Sequence, residues 1–354
     1  MSKNNLNINN LLLKLEKQAS NIDINGIYPE EIVREFANFD AYKLVNEDGS
    51  FNFNYVINLH SRVAEVCLNT AFCMWCQSAC VWYLLNAENA YLKETFLKKI
   101  IEGKILAGTG LSNAMKALIN FEEVKLKAVK TDGGYIVNGS LPFVSNIQKG
   151  HYFGALIQIE DGYIVGLIDT NSEDVSIQNI DSFFGLNGSA TAKTTFKDYF
   201  LEDKFLISDN GQQFIEKIRP GFILLQLGMA LGNINGAINI IKKELKRKEY
   251  LNNTIFGDKV SLFEKKKQEL TFGLDKYFTN PYTDDAKELK KILQVRLDGA
   301  LLSQDVSNEA LLSSGGSRGY FEKSDAFCKL RESYFVAVVT PSIKHLQILI
   351  SNLK

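Results

Sequence analysis

Residues 107–113 read Ala-Gly-Thr-Gly-Leu-Ser-Asn and open the stretch that decides the fold. It continues with Asp-Gly-Gly-Tyr-Ile-Val-Asn-Gly-Ser at 132–140 and Leu-Pro-Phe-Val-Ser-Asn at 141–146. It closes with Gly-Leu-Asn-Gly-Ser-Ala-Thr at 185–191 and Phe-Lys-Asp-Tyr-Phe at 196–200. β-Branched and aromatic runs alternate here with glycine-containing turn signals, a pattern that predicts an antiparallel β-domain.

Helical patterns precede and follow this stretch. Apolar residues recur at spacings of three and four, which is the period of an amphipathic helix. Before the β-domain this predicts helices around 11–15, 30–36, 56–85 and 87–101, and after it around 223–241, 262–277, 286–312 and 329–352. The fold prediction is therefore α+β in three parts: an N-terminal helical domain at 1–105, a middle antiparallel β-barrel at 106–208 and a C-terminal helical bundle at 209–354.

The composition is that of a soluble globular protein, with 45% hydrophobic and 23% charged residues in a chain of 354. A formal net charge of −1 gives no basic field that would recruit nucleic acid. We expect no membrane span, since no apolar run reaches the roughly 18 residues needed, and the polar start lacks a signal-peptide core. Five cysteines, an odd number, fit reduced thiols and a cytoplasmic protein.

Three of the cysteines share one face of a predicted helix. Cys73, Cys76 and Cys80 are three and four residues apart in an apolar segment. A Cys-x-x-Cys spacing can serve redox or metal chemistry, but no second pair or nearby histidine accompanies it in the sequence. We therefore interpret them as buried, inert thiols.

The motifs quoted above, and the order helices–sheet–helices, resemble the acyl-CoA dehydrogenase-type flavoproteins. The resemblance extends over most of the chain and is strongest at 105–207 and 310–346. It implies that a flavin, FAD with FMN as an alternative, lies between the β-domain and the C-terminal helices. It also implies a homodimer or homotetramer, because in this family a neighbouring subunit contributes residues to the cofactor site.

The resemblance assigns several residues to the flavin. Leu111 and Ser112 stand where the family's first β-domain loop meets the pyrimidine edge, although only an ordinary turn is required there. Phe143 and Ser145 match the aromatic and hydroxyl of a Trp-Ile-Thr/Ser-Asn motif, in which the aromatic packs on the ring and the hydroxyl bonds to N5. Val339 and Ser342 lie next to the ring on the C-terminal side.

Gly315 and Gly316 resemble the glycine turn that lets backbone approach the cofactor's pyrophosphate. A helix C-cap explains at least one of these glycines without any ligand. The family's Arg-x-x-Phe-Gly motif, which binds the pyrophosphate, has no match at the same spacing, because Phe256-Gly257 follows Arg247 at a longer distance in the sequence. This departure is the reason that FMN stays an alternative to FAD.

A second departure concerns the catalytic base. The family's Arg-Asp-Ala matches Arg331-Glu332-Ser333, and counting onward puts Thr340 where a glutamate removes the α-proton of an acyl thioester. A threonine hydroxyl is too weak an acid to serve as an ionised base at neutral pH. Some relatives carry the base on an earlier helix, where this chain has about Phe222, and Glu216 would be a strained substitute.

Three functions stay open at this point. The first is a flavin-dependent oxidoreductase that acts at a CH–CH group of a CoA or carrier-protein thioester or a related small molecule. The second is a flavin monooxygenase or oxidase, which needs no such base. The third is a catalytically inactive flavin-binding homologue. Gln77, Gln226 and Arg296 are candidates for a polar pocket, although structural roles are the favoured interpretation for each.

Overall fold

The computed structural model describes residues 3–117, 119, 121–180, 182–247 and 254–353. Helices come first in the chain. They are α1 (Lys3–Ile24), α2 (Glu30–Phe36), α3 (Phe53–Val66), α4 (Leu68–Asn86), α5 (Ala90–Leu92) and α6 (Lys98–Ile101), with a π-helical segment, Lys93–Leu97, between the last two.

One eight-stranded sheet follows, with a short helix between its first two strands. The strands are β1 (Ala107–Thr109), β2 (Leu126–Thr131), β3 (Gly134–Val144), β4 (Tyr152–Ile159), β5 (Gly162–Asp169), β6 (Val175–Asn179), β7 (Ala192–Glu202) and β8 (Leu206–Ser208), and the helix is α7 (Ser112–Ala117). The turn signals Asp132-Gly133-Gly134 and Asp161-Gly162 predict two hairpins, and both are present, as β2–β3 and β4–β5.

The sheet differs from the predicted antiparallel barrel in two ways. The hydrogen-bonded order is β6-β7-β3-β2-β4-β5-β8, with β1 beside β4, so the described strands form an open sheet rather than a closed barrel. In addition, β4 runs parallel to both β1 and β2. The turn signals identify neighbours joined by tight turns, but these parallel pairs join strands that are distant in sequence and leave no local signal.

The C-terminal part is helical, as predicted. Its helices are α8 (Gly211–Leu225), α9 (Leu227–Arg247), α10 (Thr254–Thr271), α11 (Asp275–Thr279), α12 (Ala286–Ser313), α13 (Asp325–Val338) and α14 (Ile343–Asn352). The single helix predicted at 329–352 is two helices, because Pro341 interrupts it and Ser342 caps a new one.

The helices before and after the sheet share one apolar core. α4 is buried on nearly every side, and its Trp75 packs edge-on against Phe222 of α8 at 5.0 Å between ring centroids. Cys73, Cys76 and Cys80 are fully buried in this core, and burial raises the pKa of Cys80 to about 12. The thiols therefore stay protonated at neutral pH, in agreement with their interpretation as inert. The proposed domain boundaries near 105 and 208 coincide with the ends of the sheet and stay predictions.

Buried ion pairs fix α13 against the N-terminal helices. Arg331 pairs with Asp23 of α1, and Lys329 Nζ lies 2.6 Å from Glu332. Glu332 also accepts a hydrogen bond from the backbone N–H of Leu68 at 2.8 Å, which caps the start of α4. The Arg-Glu-Ser segment that resembles the family motif is thus structural: it sets the position of the chain that leads to Thr340.

Two helical stretches are long and apolar enough to cross a bilayer, contrary to the expectation from sequence. They are Gly211–Arg247 and Asp325–Asn352, with 89% and 33% of their most apolar windows buried in the protein. The first is the α8–α9 pair of the core, and a core helix of a soluble protein passes the same test. The second is divided between α13 and α14.

We predict that His60 makes the fold sensitive to acid. Burial lowers the pKa of His60 from 6.5 to about 4, and Nε2 lies 3.2 Å from the carbonyl oxygen of Ala41. Between these two pKa values the unfolded chain binds a proton that the folded chain does not, so stability falls as pH falls from 6.5 to 4, by about 3 kcal/mol.

Chemical denaturation at a series of pH values tests this prediction. His60→Gln keeps a hydrogen-bonding side chain but cannot titrate, so its stability should fall less over this range than that of the wild type. Equal pH slopes for the two proteins would contradict the assignment to His60.

Candidate functional site

A cavity of about 350 Å³ lies where one end of the sheet meets α4, α8, α13 and α14. Its walls come from both sides of this junction. The lining residues are Phe72, Trp75, Thr109, Ser112, Lys116, Phe143, Ser145, Phe183, Gly185, Leu186, Ser189, Thr191, Phe222, Phe335, Val338, Val339, Thr340 and His345. The structure thus brings together five of the residues predicted from sequence: Ser112, Phe143, Ser145, Val339 and Thr340.

Ser145 is held at the end of β3 by close backbone packing. Thr109 and Ser145 form an isolated antiparallel bridge, and the next residue, Asn146, adopts a left-handed conformation with φ of 61°. A Cβ on Gly108 would lie 2.1 Å from the carbonyl oxygen of Ser145, so only glycine fits there. Thr191 donates a hydrogen bond of 2.8 Å to Ser145 Oγ. The hydroxyl therefore has a fixed position on the cavity wall.

Aromatic side chains form the deeper walls. Phe335 contacts Phe72 with centroids 4.5 Å apart, and Phe72 stacks on Trp75 at 5.8 Å. On the sheet side Phe143 is 52% exposed, with Phe183 as a tilted neighbour at 6.4 Å. An exposed aromatic face beside an apolar cavity suits a flat, conjugated ligand.

Thr340 is positioned by a buried polar network. Its Oγ1 lies 2.8 Å from Ser112 Oγ, and its carbonyl oxygen accepts a 2.9 Å hydrogen bond from Gln226 Nε2. Arg296 donates to Gln226 Oε1 at 2.7 Å and to the carbonyl oxygen of Val336 at 2.7 Å. Burial lowers the pKa of Arg296 to about 10, so it stays cationic at neutral pH.

The three polar side chains singled out from sequence are therefore structural. Gln226 and Arg296 hold the loop that carries Thr340. Gln77 donates to the carbonyl oxygens of Ile100 and Ile105 and accepts from the N–H of Ala107.

The cavity offers no carboxylate among the described residues that line it. Thr340 and Phe222 occupy the two positions where a catalytic glutamate was sought, and both line the cavity. Glu216 faces a different cavity, beside Asn86 and Tyr282. Lys116 and His345 are the ionisable side chains of the described lining, so proton abstraction by a carboxylate has no local candidate here.

Four predicted residues lie outside the cavity lining. The Leu111 side chain is fully buried in the helical core. Ser342 caps α14, where its Oγ accepts from the N–H of His345 at 3.4 Å. Gly315 and Gly316 follow α12 with φ of 84° and 69°, so both need the left-handed freedom of glycine. Flavin contacts by these four stay predictions.

The glycine turn adjoins a second, basic crevice of about 260 Å³. Arg247 at the end of α9 and Arg318 after α12 both line it, together with Lys243 and Lys323 and the acidic Glu244 and Asp325. Arg247 therefore lies close to the glycine turn in the structure, although its spacing from Phe256-Gly257 differs from the family motif. The side chain of Phe256 lies outside the described residues.

Sequence reasoning missed several residues of the cavity. Phe72 and Trp75 belong to an apolar helix in which cavity walls and core look alike. His345 had a usable signal, because Ser342 and His345 stand at the N-cap and third positions of a helix that starts just after Thr340. That spacing is typical of side chains that cap a helix.

No protein-family model matches the chain. Among curated proteins, it is 22% identical over 182 residues to the cyclohexane-1-carbonyl-CoA dehydrogenase of Syntrophus aciditrophicus (strain SB), covering 48% of this chain and 47% of that relative. It is 24% identical over 164 residues to the mitochondrial short/branched chain specific acyl-CoA dehydrogenase of Rattus norvegicus, covering 43% and 38%. The chain thus matches less than half the length of these relatives.

Solved structures match the whole chain. Butyryl-CoA dehydrogenase from Megasphaera elsdenii superposes with a TM-score of 0.86 at 16% identity, covering 99% of this chain and 98% of that one. KijD3 in complex with FMN and a dTDP-sugar gives 0.76 at 12% identity, covering 98% and 91%. The dibenzothiophene monooxygenase TdsC from Paenibacillus sp. A11-2 gives 0.79 at 12% identity, covering 98% and 95%.

These matches define an acyl-CoA dehydrogenase-type fold. The curated relatives agree with the structural neighbours, so the resemblance of this chain to the acyl-CoA dehydrogenase-like superfamily is confirmed.

We predict that Gly108→Ala displaces Ser145 and destabilises the protein. The new Cβ would overlap the carbonyl oxygen of Ser145, a rigid backbone atom, and overpacking of this kind costs about 1–3 kcal/mol. Gly257→Ala is the matched control, because a Cβ there meets nothing within 4 Å and alanine favours a helix. Thermal unfolding measures both, and an equal Tm for Gly108→Ala and the wild type would contradict the packing argument.

Proposed function

We propose that this chain is a flavin-dependent oxidoreductase of the acyl-CoA dehydrogenase type. One observation carries the proposal: Phe143 and Ser145 meet Thr340, which is distant from them in the sequence, in one aromatic-walled cavity. They are the residues that the family resemblance assigns to the flavin and to the reacting carbon. The confirmed superfamily likeness supports the same conclusion.

The residues present fit a flavin. Phe143 offers an exposed aromatic face, while the hydroxyls of Ser112 and Ser145 offer hydrogen bonds from the cavity wall. Bound there, a flavin would supply a two-electron acceptor that takes a hydride. We propose FAD as the cofactor because the crevice beside the glycine turn carries Arg318, Lys243 and Lys323, which suit phosphates, besides Arg247, which is paired with Glu244 at 2.9 Å; FMN is the alternative.

The first candidate reaction is oxidation at a CH–CH group of an acyl thioester or a related small molecule. It is supported by the reactions named for the curated relatives, which are acyl-CoA dehydrogenases. The apolar aromatic walls suit the acyl part of such a substrate. A CoA or a carrier protein would supply the thioester.

The second candidate is a flavin monooxygenase or oxidase. It is favoured by the described cavity lining, in which Thr340 and Phe222 replace the expected carboxylate. Neighbours of this fold include a monooxygenase and an FMN-bound enzyme. A catalytically inactive flavin-binding homologue is the remaining alternative.

We also propose a homodimer or homotetramer in the cytoplasm. In an assembly of this kind, the basic crevice of one copy would serve a cofactor held in the main cavity of another. An assembly of this kind fits the family resemblance. The near-neutral net charge and the reduced thiols fit the location.

Reduction of the bound flavin without oxygen tests the reaction class. A dehydrogenase should bleach its flavin anaerobically when an acyl-CoA is added, because the substrate itself supplies the hydride. A monooxygenase should need an external reductant and should then consume oxygen. A protein that binds flavin and does neither would support the inactive alternative.

We predict that Ser145→Ala weakens flavin binding or shifts the flavin's reduction potential. The mutation removes one hydroxyl from the cavity wall, and loss of its hydrogen bond to the flavin costs about 1 kcal/mol; Thr191 keeps Ser189 Oγ as a partner at 2.8 Å. Equilibrium dialysis and a redox titration measure the two effects. Ser176→Ala is the control, since that exposed hydroxyl lies on β6 away from the cavity. Unchanged affinity and potential in Ser145→Ala would contradict the proposed contact.

A further inference from the structure

His345 is the one imidazole on the described cavity wall, and its ring is tied to the start of α14. The backbone N–H of Ser342 donates to His345 Nδ1 at 3.4 Å, and the N–H of His345 donates back to Ser342 Oγ at 3.4 Å. A backbone N–H can only donate, so Nδ1 must be the unprotonated nitrogen. The neutral ring therefore carries its proton on Nε2.

The surroundings of His345 keep it neutral. Burial lowers its pKa below 6.5, and the charge of Lys116 on α7 lowers it further. Lys344 acts in the same direction, while Glu122 opposes it but is already engaged by Lys116 at 3.1 Å. Phe121 packs against the ring with centroids 4.4 Å apart. Protonation would also set a second N–H against that of Ser342, at the positive end of a helix.

Nε2 makes no hydrogen bond to any residue that the structure describes, and His345, which is 8% exposed as a residue, lines the cavity. The Nε2–H is therefore free to donate to an acceptor in the cavity, and a ligand oxygen that replaces water there would take this hydrogen bond. Lys116 lies on the same wall, but its ammonium group is paired with Glu122 at 3.1 Å.

We propose that His345 is a neutral Nε2–H donor that binds and stabilises a carbonyl or enolate-type oxygen of the substrate. A neutral imidazole at a helix N-terminus can do this because its N–H is aimed at developing negative charge without giving up its proton. The substrate class that follows is an aromatic or apolar compound with a carbonyl or phenolic oxygen next to the reacting carbon. This assignment rests on the proposed function of the same cavity.

The geometry argues against two other roles. His345 is not the missing base, because its unprotonated nitrogen, Nδ1, already accepts the backbone N–H of Ser342. Lys116 does not replace it as the donor, because its ammonium group is paired with Glu122. A donor that polarises the substrate oxygen makes the neighbouring C–H bond more acidic, which reduces the demand on any base.

Nuclear magnetic resonance of the ring nitrogens tests the tautomer directly. In the full-length protein labelled with ¹⁵N-histidine, His345→Gln identifies the resonances by their loss. We expect a neutral ring protonated on Nε2 at neutral pH, with a titration midpoint below 6.5. A proton on Nδ1, or a doubly protonated ring at pH 7, would overturn the proposal.

Calorimetric binding of 4-nitrophenolate tests the donor. It is an aromatic oxyanion, and 4-nitroanisole is the matched probe that lacks the charged oxygen. We expect His345→Ala to weaken 4-nitrophenolate binding about 10- to 100-fold, and to leave 4-nitroanisole binding unchanged. His345→Gln keeps an N–H near the same place and should restore most of the affinity. Equal affinity of wild type and His345→Ala for the phenolate would overturn the proposal.

A control variant distinguishes the contribution of the His345 imidazole to binding from that of the nearby Lys116 charge. Lys116→Gln should weaken 4-nitrophenolate binding modestly and leave the His345 tautomer unchanged. If this variant abolishes binding while His345→Ala retains it, the lysine is the anion site and the proposal fails. Neither measurement needs flavin or turnover. If the protein binds no flavin but gives the expected tautomer and phenolate binding, only the proposed function is refuted. If its flavin is bleached by substrate but the tautomer and binding results are not as expected, only this inference is refuted.

Discussion

Two buried amide side chains bind the backbone of the same residue, Ala107 at the start of β1, and the rest of the cavity is built from that point. Gln77 of α4 accepts a hydrogen bond from the N–H of Ala107 at 2.6 Å. Asn146, just beyond β3, donates to the carbonyl oxygen of Ala107 at 2.8 Å. Both side chains are fully buried. The backbone of this one residue therefore fixes the helical layer and the sheet relative to each other, in a place where an unmet hydrogen bond would be costly.

The position of the cavity follows from this junction. β1 and the end of β3 come so close that Gly108 is required between them, and the backbone beyond β3 turns through a left-handed Asn146. Tyr28 donates to the side chain of that asparagine at 2.7 Å, which adds a third anchor. Ser145 and Thr109 therefore lie across the cavity from the aromatic residues of α4 and α8, and neither the sheet nor the helices fill it. On the side of the C-terminal helices, the ion pairs of α13 and the hydrogen bonds of Arg296 and Gln226 hold Thr340 at the same cavity.

Much of this was accessible from sequence, for physical reasons that differ by element. Turn residues at 132–133 and 161–162 specify hairpins locally, so the two hairpins were predicted, although β3 continues to Val144, well beyond the predicted end of that strand at Val137. The parallel pairs of β4 and the open sheet depend on distant contacts and were not predicted. Ser112, Ser145 and Thr340 were placed through motif resemblance, and the structure brings them into one cavity. His345 was missed because its hydrogen bonds to Ser342 depend on the helix break at 339–342. The apolar periodicity of 329–352 predicted one continuous helix and gave no sign of that break.

The absorption spectrum of the purified chain, before and after addition of FAD or FMN and removal of free flavin, tests the central claim most directly. The account predicts a flavin spectrum that stays with the protein, and heat release followed by chromatography identifies the chromophore. Released FAD would support a cofactor that reaches the basic crevice, and FMN would favour the monooxygenase candidate. A colourless protein that also fails to retain either added flavin would contradict the account.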